Sequence, residues 1–207
     1  MTHPDVILPP DAEAWGLLKQ FLQRFITVSN AEFSAWKTYF EIRKFDKKQV
    51  VLDIGQQEDY VNIVAAGLAR KYVRQENGEV TMQIAPEGHM IHSETSFHTR
   101  TPSKVIIETI EPTIFISLSY DNMNVWFDKF PKAEQMGRLF VTEMFIIKDR
   151  RYFEMLNKST REIFLDYMST HPHMLQRVPQ KYLASYLNIK PETFSRLKHL
   201  LKRRSKN

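Results

Sequence analysis

The stretch Val178-Pro-Gln-Lys-Tyr-Leu-Ala-Ser-Tyr-Leu-Asn-Ile-Lys-Pro-Glu-Thr-Phe-Ser-Arg-Leu-Lys-His-Leu-Leu201 decides how this chain is read. Its spacing predicts a helix from Pro179 to Leu187 that buries Leu183, Tyr186 and Leu187. Ala184 is small where a second helix must come close. Asn188 follows, and asparagine tolerates the left-handed φ that a tight turn between helices requires. Pro191 suits the first position of the next helix, where a missing N–H costs nothing. Phe194, Leu197 and Leu201 then fall at i, i+3 and i+7 on one face, with Glu192, Ser195, Arg196 and His199 on the other.

Two helices joined this way form a helix-turn-helix, whose second helix enters the major groove of DNA. The side chains match that chemistry. Arg196 can pair with guanine O6 and N7, and Glu192, one turn earlier, can accept from cytosine N4. Ser195 shares their outer face, while Lys181, Lys190 and Thr193 suit phosphate oxygens, which position without specifying. Arg203, Arg204 and Lys206 add salt-sensitive attraction for any polyanion. Glu192 also complements the positive end of its helix, whatever the partner. The charge follows the same plan. Residues 157–207 hold eleven Lys or Arg against three Asp or Glu, a net of +8, whereas the remaining 156 residues hold eighteen against twenty-one. A basic end on a mildly acidic body is the footprint of nucleic-acid binding.

Outward from this stretch, Ser159 and Glu162 form a capping box for a helix over 159–170 that carries Ile163, Phe164, Tyr167 and Met168 and stops at His171-Pro172. Before it, residues 132–156 contain no proline and one glycine, Gly137, and predict a helix roughly 35 Å long that starts at Pro131. Ala133, Gly137, Phe140, Met144 and Ile147 follow one stripe, and Leu139, Val141, Phe145 and Ile146 fill other sides. A helix apolar nearly all round needs cover on more than one face, so one face is expected to meet the strand domain and another the same helix of a second subunit.

From Glu41 to Leu118 the pattern becomes short alternating runs: Val50 to Leu52, then Val61, Ile63 and Ala65, then Leu68 to Arg74, then Val80, Met82 and Ile84, then Val105, Ile107 and Thr109, then Ile114, Ile116 and Leu118. Asn77-Gly78 signals a hairpin, since both residues tolerate positive φ. Strands at this spacing suggest a sandwich or roll. Two helices are expected ahead of them, over 11–25 and from Ser29 through Phe33, Trp36 and Phe40, the second opened by a Ser29–Glu32 capping box.

This order of parts resembles the Crp/Fnr (cyclic-AMP receptor) family of bacterial regulators. The resemblance implies an α+β multidomain chain: a β-roll (jelly-roll, cyclic-nucleotide-binding-domain-like) sensor over 1–130, a long dimerisation helix over 131–156 and a helix-turn-helix DNA-binding domain of winged-helix type over 157–207, its wing reduced or absent. Pro191-Glu192-Thr193-Phe194-Ser195-Arg196 looks like the family's Arg-Glu-Thr-Val-Gly-Arg, which makes Glu192 and Arg196 base readers. Pro191 replaces an arginine, removing a donor and implying a different operator. The family's phosphate-binding cassette runs from a Gly-Glu pair to an Arg-Ser pair. Here those slots, within Gly88 to Ser103, hold His92-Ser93 and Pro102-Ser103, and only the serine is kept. Neither Arg100 nor Lys104 matches the arginine position, so poor affinity for cyclic AMP is expected. His92, Ser93, Ser103 and Lys104 are the candidates to line a pocket for some other effector.

The partners implied are double-stranded DNA and a second copy of the chain, in the cytoplasm. With no cysteine the chain has no disulfide or thiolate metal site, which fits a reducing compartment. No run approaches the ~18 apolar residues of a membrane span, and residues 1–10 lack the pattern of a secretory signal. His89, His92 and His98 cluster, but His89 and His92 fall on opposite sides of a strand, so no metal or other cofactor is expected. No catalytic motif occurs, neither Gly-x-Ser-x-Gly nor His-Glu-x-x-His, so the chain is not expected to be an enzyme. The competing expectation is a small-ligand or metal-binding β-roll protein whose helical C-terminus mediates protein contacts.

Overall fold

The computed structural model describes the backbone of residues 11–204 and the side chains of residues 11–199. The expectations for residues 1–10, for Leu201 and for Arg203, Arg204 and Lys206 therefore lie outside the described residues or side chains. The described residues form two compact units, one of residues 11–74 and 82–142 and one of residues 75–81 and 143–204.

The first unit is a β-roll with helices against it. Helix α1 (Asp11–Gln23) buries Ala14, Leu18, Phe21 and Leu22. Helix α2 (Asn30–Lys37) starts at the Ser29–Glu32 capping box, with both reciprocal hydrogen bonds made. It stops short of Phe40, which instead opens strand β1 (Phe40–Phe45) opposite Leu118. The other strands are β2 (Val50–Leu52), β3 (Tyr60–Ala66), β4 (Ala69–Gln75), β5 (Gly78–Ala85), β6 (Met90–Ile91), β7 (Ile106–Thr109) and β8 (Thr113–Ser119). They form two four-stranded sheets, β1-β8-β3-β6 and β2-β7-β4-β5.

Alternation along β3 gives the roll two apolar layers. Ile63 and Ala65 pack with α1, Trp36, Ile114 and Ile116, whereas Val64 faces Leu52, Ile91, Ile107 and Phe115 between the sheets. Gly67 makes the β3–β4 turn possible. Its φ is +89°, and a Cβ there would lie 2.2 Å from the Pro112 carbonyl oxygen. The β4–β5 hairpin turns one residue earlier than Asn77-Gly78 implies. Glu76 and Asn77 form the turn, Asn77 is not among the positive-φ residues, and Gly78 (φ +127°) begins β5.

The strand geometry used for His89 and His92 reaches only Met90–Ile91, and the residues that follow form helix α3 (Glu94–Thr99), which buries Ser96 and Phe97. Strand parity therefore does not govern those side chains. Arg100, in the left-handed region at φ +56°, ends the helix.

Helix α4 (Tyr120–Lys129) follows β8, capped by Ser119. Helix α5 (Pro131–Asn157) begins at the expected proline and runs 27 residues. The predicted stripe packs inward over its first half. Ala133 and Met136 are buried, Phe140 packs against the same core, and Gly137 lets α5 pass so close to α4 that a Cβ would meet Phe127 Cζ at 2.7 Å.

In the second unit α6 (Thr160–Thr170) carries the expected Ser159–Glu162 capping box. A four-residue helix, α7 (Met174–Arg177), follows, for which the sequence reading makes no provision. Helices α8 (Gln180–Tyr186) and α9 (Pro191–Arg204) complete the unit. Phe164, Met168, Met174, Val178, Leu183, Ala184, Leu187, Ile189, Phe194 and Leu197 are buried, and the Phe164 and Phe194 rings meet edge to face at 5.1 Å. No helix among the described residues is long and apolar enough to cross a membrane.

Candidate functional site

The corner between α8 and α9 is built by backbone chemistry. Asn188 takes φ +55°. The Asn188 N–H then donates to the Ser185 carbonyl (3.1 Å) and the Ile189 N–H to the Ala184 carbonyl (2.8 Å). This pair of bonds is a Schellman cap, closed by buried Ile189 against Ala184. Lys190 supplies the carbonyl that accepts the first bond of α9, from the Phe194 N–H at 2.9 Å, and Pro191 sits where no donor is needed.

Phe194 and Leu197 anchor the inner face of α9, so its outer face is set by the helical repeat. Glu192 and Arg196 are exposed there, as is His199, while Thr193 and Ser195 are half-buried at the edges. Lys190 is exposed at the turn and Lys181 on the first turn of α8. The corner thus brings Lys190, Glu192 and Arg196 onto one short exposed stretch. Tyr186, expected inside, is half-buried. Its carbonyl accepts from Arg151 Nη2 (2.6 Å), whose guanidinium lies 3.8 Å over its ring. That brace on the end of α8 carries no sequence signal, because Arg151 stands 35 positions earlier. The Tyr167 ring packs at 5.6 Å from Tyr186, and burial, helped by the neighbouring Tyr186 hydroxyl, raises the pKa of Tyr167 above the ordinary phenol value.

In the roll, His92, Ser93 and Ser103 are buried and Lys104 is exposed, so three of the four candidate pocket residues come together. Ser103 Oγ donates to Ser93 Oγ at 3.2 Å. The space around them is occupied by the chain's own charges. Lys71 Nζ donates to the His92 carbonyl (2.9 Å) and to Glu94 Oε2 (2.5 Å). Burial pushes the Glu94 carboxyl up, but Lys71 and His92 together pull it down further, to about 2. Arg100 does lie nearby, but it is bound to the Glu58 carbonyl and the Asp59 carboxylate and stacked 4.2 Å over Tyr120. Sequence reasoning missed Glu58 and Lys71, which lie on other strands and loops. Two surface cavities, of about 430 and 330 Å³, lie elsewhere, at α4–α5 and among α5, α6 and α8. The His92 and His98 rings are 6.0 Å apart, and among the described residues no three His, Asp or Glu side chains are grouped to hold a metal.

A two-sheet roll, a long helix and a helix-turn-helix, in that order, define the fold of Crp/Fnr-type transcription regulators, and this chain has that fold. It is similar to the catabolite activator protein of Thermus thermophilus, with 18% identity and a TM-score of 0.55 over 89% of this chain and 88% of that one. It is also similar to FixK2 of Bradyrhizobium japonicum, with 16% identity and a TM-score of 0.61 over 80% and 86% of the two chains. A third such structure is the c-di-GMP-responsive global regulator CLP of Xanthomonas campestris, with 12% identity and a TM-score of 0.63 over 86% and 93%. No protein-family model and no curated protein sequence matches the chain.

Proposed function

We propose that this chain is a DNA-binding transcription regulator, acting as a homodimer in the cytoplasm and not as an enzyme, that reads a pseudo-palindromic site through α9. The observation that carries the reading is the α8–Asn188–α9 corner, which leaves Glu192 and Arg196 exposed on the outer face of a helix whose inner face is locked by Phe194 and Leu197. Arg196 and Glu192 read base edges, and Lys181, Lys190, Thr193 and Ser195 hold the backbone. We assign the sensor to residues 1–130, the dimer helix to 131–156 and the DNA-binding part to 157–207.

The dimer is supported by α5. From Val141 onward it leaves Val141, Phe145, Tyr152 and Leu156 at 60%, 71%, 64% and 68% exposure, on one side of the helix. An apolar seam of that length calls for a partner helix, and a two-fold site needs two copies of α9 about 34 Å apart on successive grooves, which a self-paired α5 would have to supply. The roll is not set for cyclic AMP: both cations at the cassette are spent within the chain, Arg100 on the Glu58 carbonyl and Asp59 and Lys71 on the His92 carbonyl and Glu94. Any effector among His92, Ser93 and Ser103 is of another class.

Selection of bound fragments from random DNA, with and without cyclic AMP, tests this. The expected result is a two-fold motif recovered equally in both conditions. Recovery of random fragments, with retention lost at modest salt, overturns the reading.

A further inference from the structure

Glu58 is only 3% exposed, just ahead of β3. Its Oε1 accepts the Tyr60 N–H and its Oε2 the Ser93 N–H, both at 3.1 Å. Its own N–H donates to Ser96 Oγ (2.9 Å), and its carbonyl accepts from Arg100 Nη1 (2.8 Å). One residue therefore ties the β2–β3 loop to the residue before α3, to its middle and to its end. The loop and the cassette are also joined by the Ser103 N–H to the Gln56 carbonyl (2.7 Å) and the Gly55 N–H to the Ser103 carbonyl (2.9 Å).

The carboxyl itself has amide partners but, among the described residues, no ion pair. The charged groups around it are divided. Arg43 on β1 favours its ionised form from a distance, and Asp59, next in the chain, opposes it. Arg100, after α3, spends its guanidinium on the Glu58 carbonyl and on Asp59. Lys71 on β4, beyond Ser93, is bound to the His92 carbonyl and Glu94. His92 and His98 pack on Phe97, and Tyr60 offers its amide.

We propose that Glu58 is a proton-operated latch, which as a neutral acid closes the β2–β3 loop on α3 and as a carboxylate drives the two apart. A carboxylate shut away from water with two amides and no cation is poorly placed to hold its charge. Burial outweighs both amide bonds and pushes the carboxyl up from 4.5 to about 7. In an opened loop the group is hydrated and titrates at its ordinary value. The closed form therefore binds the proton more tightly, and its advantage is complete below the ordinary value and lost as pH rises through about 7. Across that window the ratio of closed to open loop falls by a factor on the order of 300. The residues released include Ser93, so the proton acts on the same cassette that the resemblance assigns to an effector. The latch does not depend on DNA binding.

Nuclear magnetic resonance on the full chain tests the latch. In the wild type the Glu58 carboxyl carbon should titrate with a midpoint near 7, and the Tyr60, Ser93 and Ser96 amides should shift with it. In Glu58→Gln those amides should no longer titrate there. A Glu58 midpoint between 4 and 5, read from the wild type alone and so independent of how the variant folds, overturns the proposal. So does a near-neutral titration of the same amides that survives in Glu58→Gln, since the histidines would then be its source.

Discussion

Helices α9 and α3 both carry small and charged polar side chains, yet one displays them and the other consumes them. In α9 the inner face is Phe194 and Leu197, and Glu192 and Arg196 stand in solvent. In α3 Ser96 is buried, and Glu94 is taken by Lys71. Hydrogen bonds from Glu58 and Arg100 close the helix on its neighbouring loop. Polar groups left in solvent on a firmly packed helix stay open to a partner. Polar groups met by the chain itself stabilise a conformation, and a ligand must displace them to enter.

The contrast can be broken most strongly from beneath α9. Phe194→Ala removes a fully buried ring packed edge to face on Phe164 and should destabilise the helical unit by about 3–5 kcal/mol, read from denaturant unfolding. A loss below about 1 kcal/mol would mean that α9 is not anchored by its inner face.

Next is Lys71→Met. It removes the Lys71 ammonium from Glu94, and because Glu94 is still 38% exposed, solvent screens part of the effect, so about 1–3 kcal/mol of stability should go. The pH dependence has a definite sign. Glu94 has a depressed folded value of about 2, so in the wild type its contribution is present above the ordinary 4.5 and is lost as pH falls through about 2. In Lys71→Met that acid-side loss should shrink, and an unchanged acid limb in urea melts would show that the pair is not coupled to folding.

Arg196→Ala sharpens the comparison from the other side. It should leave stability within about 0.5 kcal/mol, since the side chain is exposed, yet weaken binding to a selected fragment by roughly 1–3 kcal/mol while sparing random DNA. Equal loss on both DNAs would remove Arg196 from base reading.

The smallest effect belongs to the corner. Asn188→Gly should be neutral within a few tenths of a kcal/mol, and Asn188→Ala should cost about 1 kcal/mol, because φ +55° tolerates the first and strains the second. Thermal midpoints of the two variants measure the difference.

Much of α8 and α9 was legible from Ala184, Asn188, Pro191 and the Phe194–Leu197 spacing, because each of these acts through its own or an adjacent turn of backbone. The capping boxes at Ser29 and Ser159 were legible for the same reason. The cassette was not. The groups that settle its conformation, Glu58 and Lys71, lie 35 and 21 positions from the Ser93 amide and the His92 carbonyl they bind. The apolar stripe of α5 stood between these cases: its helix was plain, but which side meets the roll was not.

By itself, the sequence determined where α2, α5, α6 and α9 start, that short strands form a roll, and which face of α9 is polar, since these follow from φ preferences, capping and periodicity over a few neighbouring residues. Only the tertiary structure decided which charges are spent internally. A buried carboxylate or ammonium takes its partner from whatever the fold brings within hydrogen-bond reach, and that distance has no counterpart along the chain.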